Sequence, residues 1–184
     1  MRQHASAGYT LIELLVVVAI LSIVAVIAVP VTHRVTEAGA DVVLDDVVHA
    51  LRFARDEARR TREQRMISCD PVSGTITVGA VDSDKDTSYP SARTILRPGS
   101  DRPYVVAPAA ASAGSAMDLV SCSFIFSDNT TTGTVVFDAS GNPVRGIGKG
   151  PVREKSLRSG TIVLGAAHVR RTVHLALTGR ITQS

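Results

Sequence analysis

The carboxylate of Glu13 is the most unusual charge in this chain, because it stands at the start of a long apolar run. The run from Leu14 to Val31 has eighteen residues, no charged side chain and a single hydroxyl. An ionised carboxylate at the edge of such a run is costly to remove from water and needs a cationic partner. We therefore expect Glu13 to form an ion pair with a group at the same depth.

Motifs for catalysis or phosphate binding are absent from the sequence. The segment GNPVRGIGKG contains glycines and a lysine, but it lacks the G-x-x-x-x-G-K-[ST] spacing of a phosphate-binding loop. Neither G-x-S-x-G, H-E-x-x-H nor S-x-x-K occurs. The sequence therefore predicts a protein that is not an enzyme and that needs no cofactor.

Histidines and carboxylates lack the spacing of metal ligands. The histidines that follow the apolar run are scattered: His33, His49, His168 and His174. The alternating Asp82, Asp84 and Asp86 are either calcium ligands or part of a solvated turn. Their loop lacks the glycine and the terminal glutamate of an EF-hand, which favours the turn. No metal site is predicted.

Composition indicates one folded domain. Of 184 residues, 45% are hydrophobic and 20% are charged, which excludes a disordered chain. Aromatic residues make up 4% and Trp is missing, so platforms for stacking bases or sugars are not expected. Two cysteines cannot build a disulfide-rich scaffold or a four-cysteine zinc site.

The apolar run has the length of a membrane anchor. At a rise of about 1.5 Å per residue it nearly spans a hydrocarbon core of about 30 Å, and residues 9–12 extend it. The alternative is a secretory signal peptide, whose apolar core of about 7–15 residues ends at a cleavage site. The run here is longer, and the polar sequence THRVTEAGADVV follows it. We therefore predict a transmembrane helix over residues 9–31.

The segment GYTLIELLVV resembles the leader and cleavage signature of type IV pilins and type II secretion pseudopilins. The resemblance implies that prepilin peptidase cuts between Gly8 and Tyr9 and methylates the new Tyr9 amine. It also implies that Glu13 pairs with this amine, in its own or a neighbouring subunit. Arg2 keeps the leader cytoplasmic. Pro30 stands where family helices often carry a proline, and we expect it to loosen the helix for assembly.

A helical period continues from residue 32 to residue 63 with a different surface. Apolar residues recur at three- and four-residue steps: Val35, Ala38, Val42, Leu51, Ala54 and Ala58. Val43, Val47 and Val48 widen this apolar stripe. A heptad does not persist, so a coiled coil is disfavoured. We expect an amphipathic half-helix packed on a head. The predicted organisation is a cleaved leader (1–8), a transmembrane half-helix (9–31), an amphipathic half-helix (32–63) and a β-rich head (64–184).

Short strands separated by turns are predicted for the head. They cover residues 66–69, 75–81, 94–96, 123–126, 134–137, 161–164 and 172–177. An Ala/Ser/Gly/Pro-rich stretch, 107–116, is predicted to be a loop. The spacing indicates antiparallel sheet, because parallel strands would need helical crossovers. The expected fold is α+β and pilin-like, with the long N-terminal helix packed on an antiparallel sheet.

Two further segments narrow the resemblance. TVVFDASGNP resembles the penultimate strand and turn of H-type minor pseudopilins (the GspH/FimT type), and RRTVHLALTGRI resembles their closing strand.

Cys69 and Cys122 both lie beyond the membrane helix, in an oxidising compartment if this topology holds. They are either joined in a disulfide or present as two buried thiols in neighbouring strands.

Charge is unevenly distributed along the head. Residues 66–144 have a net charge of −4, whereas residues 145–184 carry eight basic residues against Glu154 alone, a net charge of +7. Arg170, Arg171 and Arg180 surround the predicted closing strand. They are candidates for contact with an acidic neighbouring subunit or with DNA phosphates.

The resemblance leads to two functional hypotheses. The favoured one is a minor pseudopilin that helps to initiate or cap the pseudopilus of a type II secretion system. The alternative is a FimT/FimU-like minor pilin of a type IV pilus that captures DNA. Residues 179–182 keep only the first half of the G-R-x-R motif of DNA-binding relatives, which weakens the alternative. Implied partners are prepilin peptidase, other minor and major pseudopilins, the inner-membrane assembly platform and membrane lipid. The implied location is the bacterial inner membrane, with a single pass and a periplasmic head.

Overall fold

The helix α1 is 51 residues long and extends from Leu11 to Thr61. This computed structural model describes residues 10–81, 93–110, 117–146, 150–166 and 169–184. The Thr10 hydroxyl accepts a hydrogen bond from the Glu13 backbone N–H at 3.4 Å, which satisfies a first-turn donor that has no partner within the helix. Arg62 ends the helix in the left-handed region, with φ of 56°.

The beginning of α1 is exposed around its whole circumference. Its large apolar side chains retain between 50% and 82% of their accessible surface: Leu11, Ile12, Leu14, Leu15, Val16, Val17, Val18 and Ile20. The head therefore leaves this apolar surface open. Among the described residues, no helix is both long and apolar enough to cross a membrane.

The later part of α1 buries one face, as the amphipathic pattern predicts. The buried residues are Ala40, Val43, Leu44, Val47, Val48, Ala50, Leu51, Ala54 and Ala58. Val42 was predicted in this stripe but is 58% exposed. It lies on the solvent side because Val43, one residue further along the helix, occupies the buried face. The side chains of Val35 and Ala38 lie outside the described residues.

Eleven strands follow within the described residues. In chain order they are β1 (Arg65–Asp70), β2 (Thr75–Ala80), β3 (Arg93–Thr94), β4 (Val105–Val106), β5 (Asp118–Phe126), β6 (Thr131–Thr132), β7 (Thr134–Phe137), β8 (Pro143–Val144), β9 (Leu157–Ala166), β10 (Val169–Ala176) and β11 (Ile181–Gln183). Single 3₁₀ turns occur at Pro108–Ala110 and Gly150–Val152.

The strands form two antiparallel sheets, which confirms the predicted fold class. The first sheet has the order β3-β2-β1-β7-β8, with β4 also paired to β2. The second sheet has the order β11-β10-β9-β5-β6. In this chain, TVVF is β7 and four more strands follow it. RRTVHLALTGRI contains most of β10, the LTGR turn and the first residue of β11, which is the last strand.

One core joins α1 to the inner faces of both sheets. Leu51 on the helix is fully buried, as are Phe124 on β5, Phe137 on β7 and Leu164 on β9. In the first sheet, β7 is buried on both faces. In the second sheet, β10 alternates buried and exposed side chains toward its end, because successive side chains in a strand point to opposite faces. The outer face of the second sheet is thereby left to solvent.

A disulfide links the two sheets. Cys69 on β1 and Cys122 on β5 have their sulfur atoms 2.10 Å apart and their Cα atoms 6.2 Å apart. The Cys69 backbone N–H donates to the Gly133 carbonyl at 2.9 Å. Gly133 lies between β6 and β7, where the chain passes from the second sheet to the first. Of the two states that the sequence left open, the structure therefore describes the bonded one.

Candidate functional site

Glu13 occupies the third position in the first turn of α1, and its side chain is exposed. Thr10 and Glu13 have the spacing of a capping box, and the helix dipole favours a negative charge in this turn. Pro30 lies inside α1. The predicted cleavage residues, Gly8 and Tyr9, lie outside the described residues.

Arg170 and Arg171 project from opposite faces of β10. The Arg171 side chain points to α1, where its Nε donates to Asp41 Oδ1 at 2.9 Å. Arg170 is exposed on the outer face, and Arg180 is exposed in the turn between β10 and β11. The three arginines that sequence analysis grouped are therefore divided, and Arg171 already has a carboxylate partner.

A shallow groove of about 540 Å³ crosses the outer face of the second sheet beside this turn. It is lined by Arg158, Ser159, Gly160, Thr161, His174, Leu175, Ala176, Leu177, Arg180 and Thr182. Two guanidinium groups, one imidazole and three hydroxyls thus face the same space. No carboxylate lines the groove among the residues that the structure describes. We call it the basic groove.

The acidic and basic segments are partly separated in space. The first sheet is built entirely from residues 65–144, whereas residues 157–183 form three adjacent strands of the second sheet. Some of the basic charge is neutralised, since Arg145 Nη1 lies 2.9 Å from Asp128 Oδ2 and Arg171 pairs with Asp41. Lys149 and His168 lie outside the described ranges.

Two arginines of α1 hold turns that come from different sheets. Arg55 Nη1 donates to the Gly179 carbonyl at 3.0 Å, and Arg59 Nε donates to the Ser140 carbonyl at 2.8 Å. Gly141 and Gly179 have φ of 79° and 75°, a region that L side chains rarely adopt. The turns touch, since a Cβ on Gly179 would lie 3.2 Å from the Gly141 carbonyl oxygen.

Sequence analysis missed this arrangement. Neither Arg55 nor Arg59 belongs to a motif, and nothing in the sequence pairs either of them with a turn. The available signal was the glycine in each of the turns DASGNP and LTGR, which marks backbone that a bulkier residue cannot occupy easily. That glycine does not reveal which helix residue the turn meets.

The loop between β3 and β4 also packs on α1. Arg97 Nη2 lies 2.9 Å from Asp46 Oδ1, and the guanidinium carbon is 5.3 Å from the centre of the Tyr104 ring. The ring centroids of Tyr104 and Phe53 are 5.2 Å apart. Burial raises the pKa of Tyr104 above its usual value. The aromatic pair thus anchors this loop to the helix.

In the described ranges, no three His, Cys, Asp or Glu side chains come together to hold a metal ion. Asp82, Asp84 and Asp86, the alternative calcium ligands, lie outside those ranges.

Two known family models match this chain, one at its N-terminus and one over the later half of α1 and the head. The prokaryotic N-terminal methylation motif matches residues 3–29. The family described as type II transport protein GspH matches residues 44–179, which is most of the chain. The chain belongs to the GspH family. The resemblance to H-type minor pseudopilins is thereby confirmed.

Solved structures of a minor pilin are similar to this GspH-family chain. They are two crystal forms of the type IV minor pilin FimU of Pseudomonas aeruginosa, each 15% identical to it. One match covers 81% of this chain and 87% of the other, with a TM-score of 0.39. The second covers 80% and 91%, with a TM-score of 0.41. No curated protein sequence matches the chain.

Membership of the GspH family makes this protein a pilin-like structural subunit rather than a member of an enzyme family. The methylation motif belongs to proteins that prepilin peptidase processes and that assemble with other pilins. Such proteins are anchored in a membrane and carry a periplasmic head. The family match includes Arg158 and His174 of the basic groove and ends at Gly179.

Proposed function

We propose that this protein is a minor pseudopilin of a type II secretion system. It assembles into the initiation or tip complex of the periplasmic pseudopilus, which drives protein export across the outer membrane. The match of residues 44–179 to the type II transport protein GspH supports this role. The observation that carries the proposal is the apolar beginning of α1, which the head leaves open.

Eight large apolar side chains in this segment are at least half exposed. Full burial of one Val, Leu or Ile side chain stabilises it by about 1.5–3 kcal/mol, so the segment gains greatly from leaving water. A bilayer buries it before assembly, and neighbouring helices bury it in the filament. This supports a single pass over residues 9–31 in the inner membrane, where the helix meets lipid and the assembly platform.

Processing prepares Glu13 for assembly in this proposal. A cut after Gly8 places a new amine on Tyr9, one residue before the helix cap at Thr10. The amine and the Glu13 carboxylate then have opposite charges at one end of α1. Pairing within a subunit, or between staggered subunits, offsets the cost of removing the carboxylate from water.

Intact-mass measurement of the membrane-bound protein tests the processing step. We expect the parent to lose the leader of eight residues and gain a methyl group, and Gly8→Val to remain at 184 residues. Ala5→Val makes a similar change in size within the leader and should leave processing intact. Cleavage near Ala28 in the parent, as for an ordinary signal peptide, would contradict the pilin assignment.

The alternative function, a DNA-capturing minor pilin of a type IV pilus, has weaker support. Arg158, Arg170 and Arg180 are exposed and could meet phosphates. Arg171 is paired with Asp41, however, and Thr182 stands where the second arginine of the G-R-x-R motif would be. We expect the full chain to bind DNA only weakly near physiological salt, where nonspecific binding needs several phosphate contacts.

A further inference from the structure

The basic groove is a surface that no carboxylate lines in the part of the chain that the structure describes. We propose that it docks an extended, acidic segment of a neighbouring subunit in the pseudopilus. The identification of the partner as a pilin subunit rests on the function proposed above. The chemistry of the partner, an acidic peptide in extended form, follows from the groove itself.

Charge complementarity is the first argument. Arg158, His174 and Arg180 line the groove, and no described carboxylate pairs with Arg180 or His174. The neighbouring hydroxyls of Thr161 and Thr182 supply further donors. Carboxylates are the side-chain groups that a guanidinium binds most strongly, often through two parallel hydrogen bonds. An acidic side chain in the groove would complete this donor set.

The shape of the groove favours a peptide in extended form. It lies on the face of the sheet and crosses β9, β10 and β11, so a peptide in it would contact side chains of all three strands. Neighbouring strands are about 4.8 Å apart, and an extended chain has the length to cross them. Leu177, which is 61% exposed, offers an apolar contact for one side chain of that peptide.

A nucleic acid fits the same surface less well. Among the described residues, only two guanidinium groups line the groove, and Arg158 Nη1 already donates to Asn129 Oδ1 at 3.2 Å. Arg171, the next arginine along β10 from the exposed Arg170, is held by Asp41 on the opposite face. Aromatic side chains that would stack on bases are absent from the lining within the described residues.

The groove is held in place before a partner arrives. The turn that carries Arg180 is fixed by the hydrogen bond from Arg55 to the Gly179 carbonyl. Arg158 is oriented by its contact with Asn129. Such preorganisation reduces the entropy that the groove loses when it binds.

Peptide binding by the purified full chain in detergent tests the proposal. The probe is a fluorescent peptide of ten residues, the length of β9, in which glutamate alternates with valine; its control has lysine in place of glutamate. We expect fluorescence anisotropy to show binding of the acidic peptide alone, weakening between about 50 and 200 mM salt. Arg180→Ser should weaken it about tenfold, the loss of one charge-assisted contact.

Arg170→Ser is the matched control, because Arg170 is exposed on the same face of β10 but does not line the groove. It should leave the affinity unchanged. Equal losses from Arg170→Ser and Arg180→Ser would mean nonspecific charge attraction and would overturn the proposal. Failure of the acidic peptide to bind the parent would also overturn it.

The same measurements distinguish two other occupants of the groove, a nucleic acid and a second copy of this chain. Tighter binding of a short DNA duplex than of the peptide, abolished by Arg180→Ser, would assign the groove to nucleic acid and overturn the proposal. So would self-association of the parent that Arg180→Ser abolishes, because the occupant would then be a second copy. Failure of the proposed function appears in a different measurement, the intact mass of the parent, which would then keep its leader. Arg180→Ser leaves Gly8 unchanged, so the binding experiment does not depend on that result.

Discussion

Gly141→Ala tests whether the turn between β7 and β8 is shaped by its contact with α1. At φ of 79°, an alanine is strained by about 1–2 kcal/mol. Its Cβ would overlap Arg59 Nε and lie 2.9 Å from Arg59 Cγ, so the arginine must move. The movement breaks the hydrogen bond to the Ser140 carbonyl, which is worth about 1–2 kcal/mol for a charged donor. We expect the free energy of unfolding to fall by about 2–4 kcal/mol.

Gly74→Ala is the matched control for the strain of placing an alanine at positive φ. Gly74 has φ of 65°, and a Cβ there meets nothing within 4 Å. It should therefore cost only the strain of about 1–2 kcal/mol. In an Arg59→Ala background, Gly141→Ala should cost no more than this control, because the clash and the hydrogen bond are both gone.

Urea unfolding of the full chain in detergent, followed by the β-sheet signal in circular dichroism, gives these free energies. The signal reports the head, in which both turns lie. Equal losses for Gly141→Ala and Gly74→Ala would refute the role of Arg59. An undiminished loss in the Arg59→Ala background would refute it as well, since the cost would then arise from the turn alone.

Three further predictions concern the disulfide, the helix start and acid stability. In the denatured chain without reductant, Cys69 and Cys122 should take up no thiol-specific label; two labels would contradict the bond. Glu13→Ala should be processed normally yet recovered less in crosslinked complexes with other pilins, and unchanged recovery would show that the pairing is dispensable. The Thr130 backbone N–H, with Arg145, lowers the pKa of Asp128 in the folded state. Its stabilising effect is present above the unfolded pKa and is lost as pH falls through the lower folded value. The free energy of unfolding should therefore decline as pH falls below the usual aspartate pKa of 3.8, and less steeply in Asp128→Asn; parallel declines would contradict this.

Local pattern was enough to predict the main elements of the fold. The long helical period ends near Thr61, and the short strands predicted at residues 66–69 and 134–137 coincide with β1 and β7. Both signals are carried by neighbouring residues in the chain, which is why periodicity detects them. The two-residue strands β4, β6 and β8 were not predicted, because an alternation needs more than two positions to be visible.

Pairing between distant residues could not be predicted in the same way. Arg170 and Arg171 are adjacent in sequence, yet one faces solvent and the other meets Asp41, 130 residues earlier. Which of them faces inward depends on the register of β10 against β9, where Arg171 stands opposite Leu164. A shift by one residue would exchange their faces. The sequence therefore suggested one basic cluster of three arginines, whereas the register of β10 places Arg170 and Arg171 on opposite faces.

The polar contacts of α1 follow a regular arrangement that explains how the head is fixed to the helix. Two contacts reach the second sheet: Asp41 binds Arg171 on β10, and Arg55 binds the Gly179 carbonyl in the last turn of that sheet. Two other contacts reach loops of the first sheet: Asp46 binds Arg97, and Arg59 binds the Ser140 carbonyl.

Each sheet is thus tied to the helix at two heights, and at a rise of about 1.5 Å per residue the four ties span about 27 Å of its axis. The two ion pairs among them, Asp41–Arg171 and Asp46–Arg97, are exposed to solvent and each typically adds less than about 1 kcal/mol. The placement of the four ties matters more, because each sheet contacts the helix at two points that are separated along its axis, in addition to the buried core that both sheets share with α1.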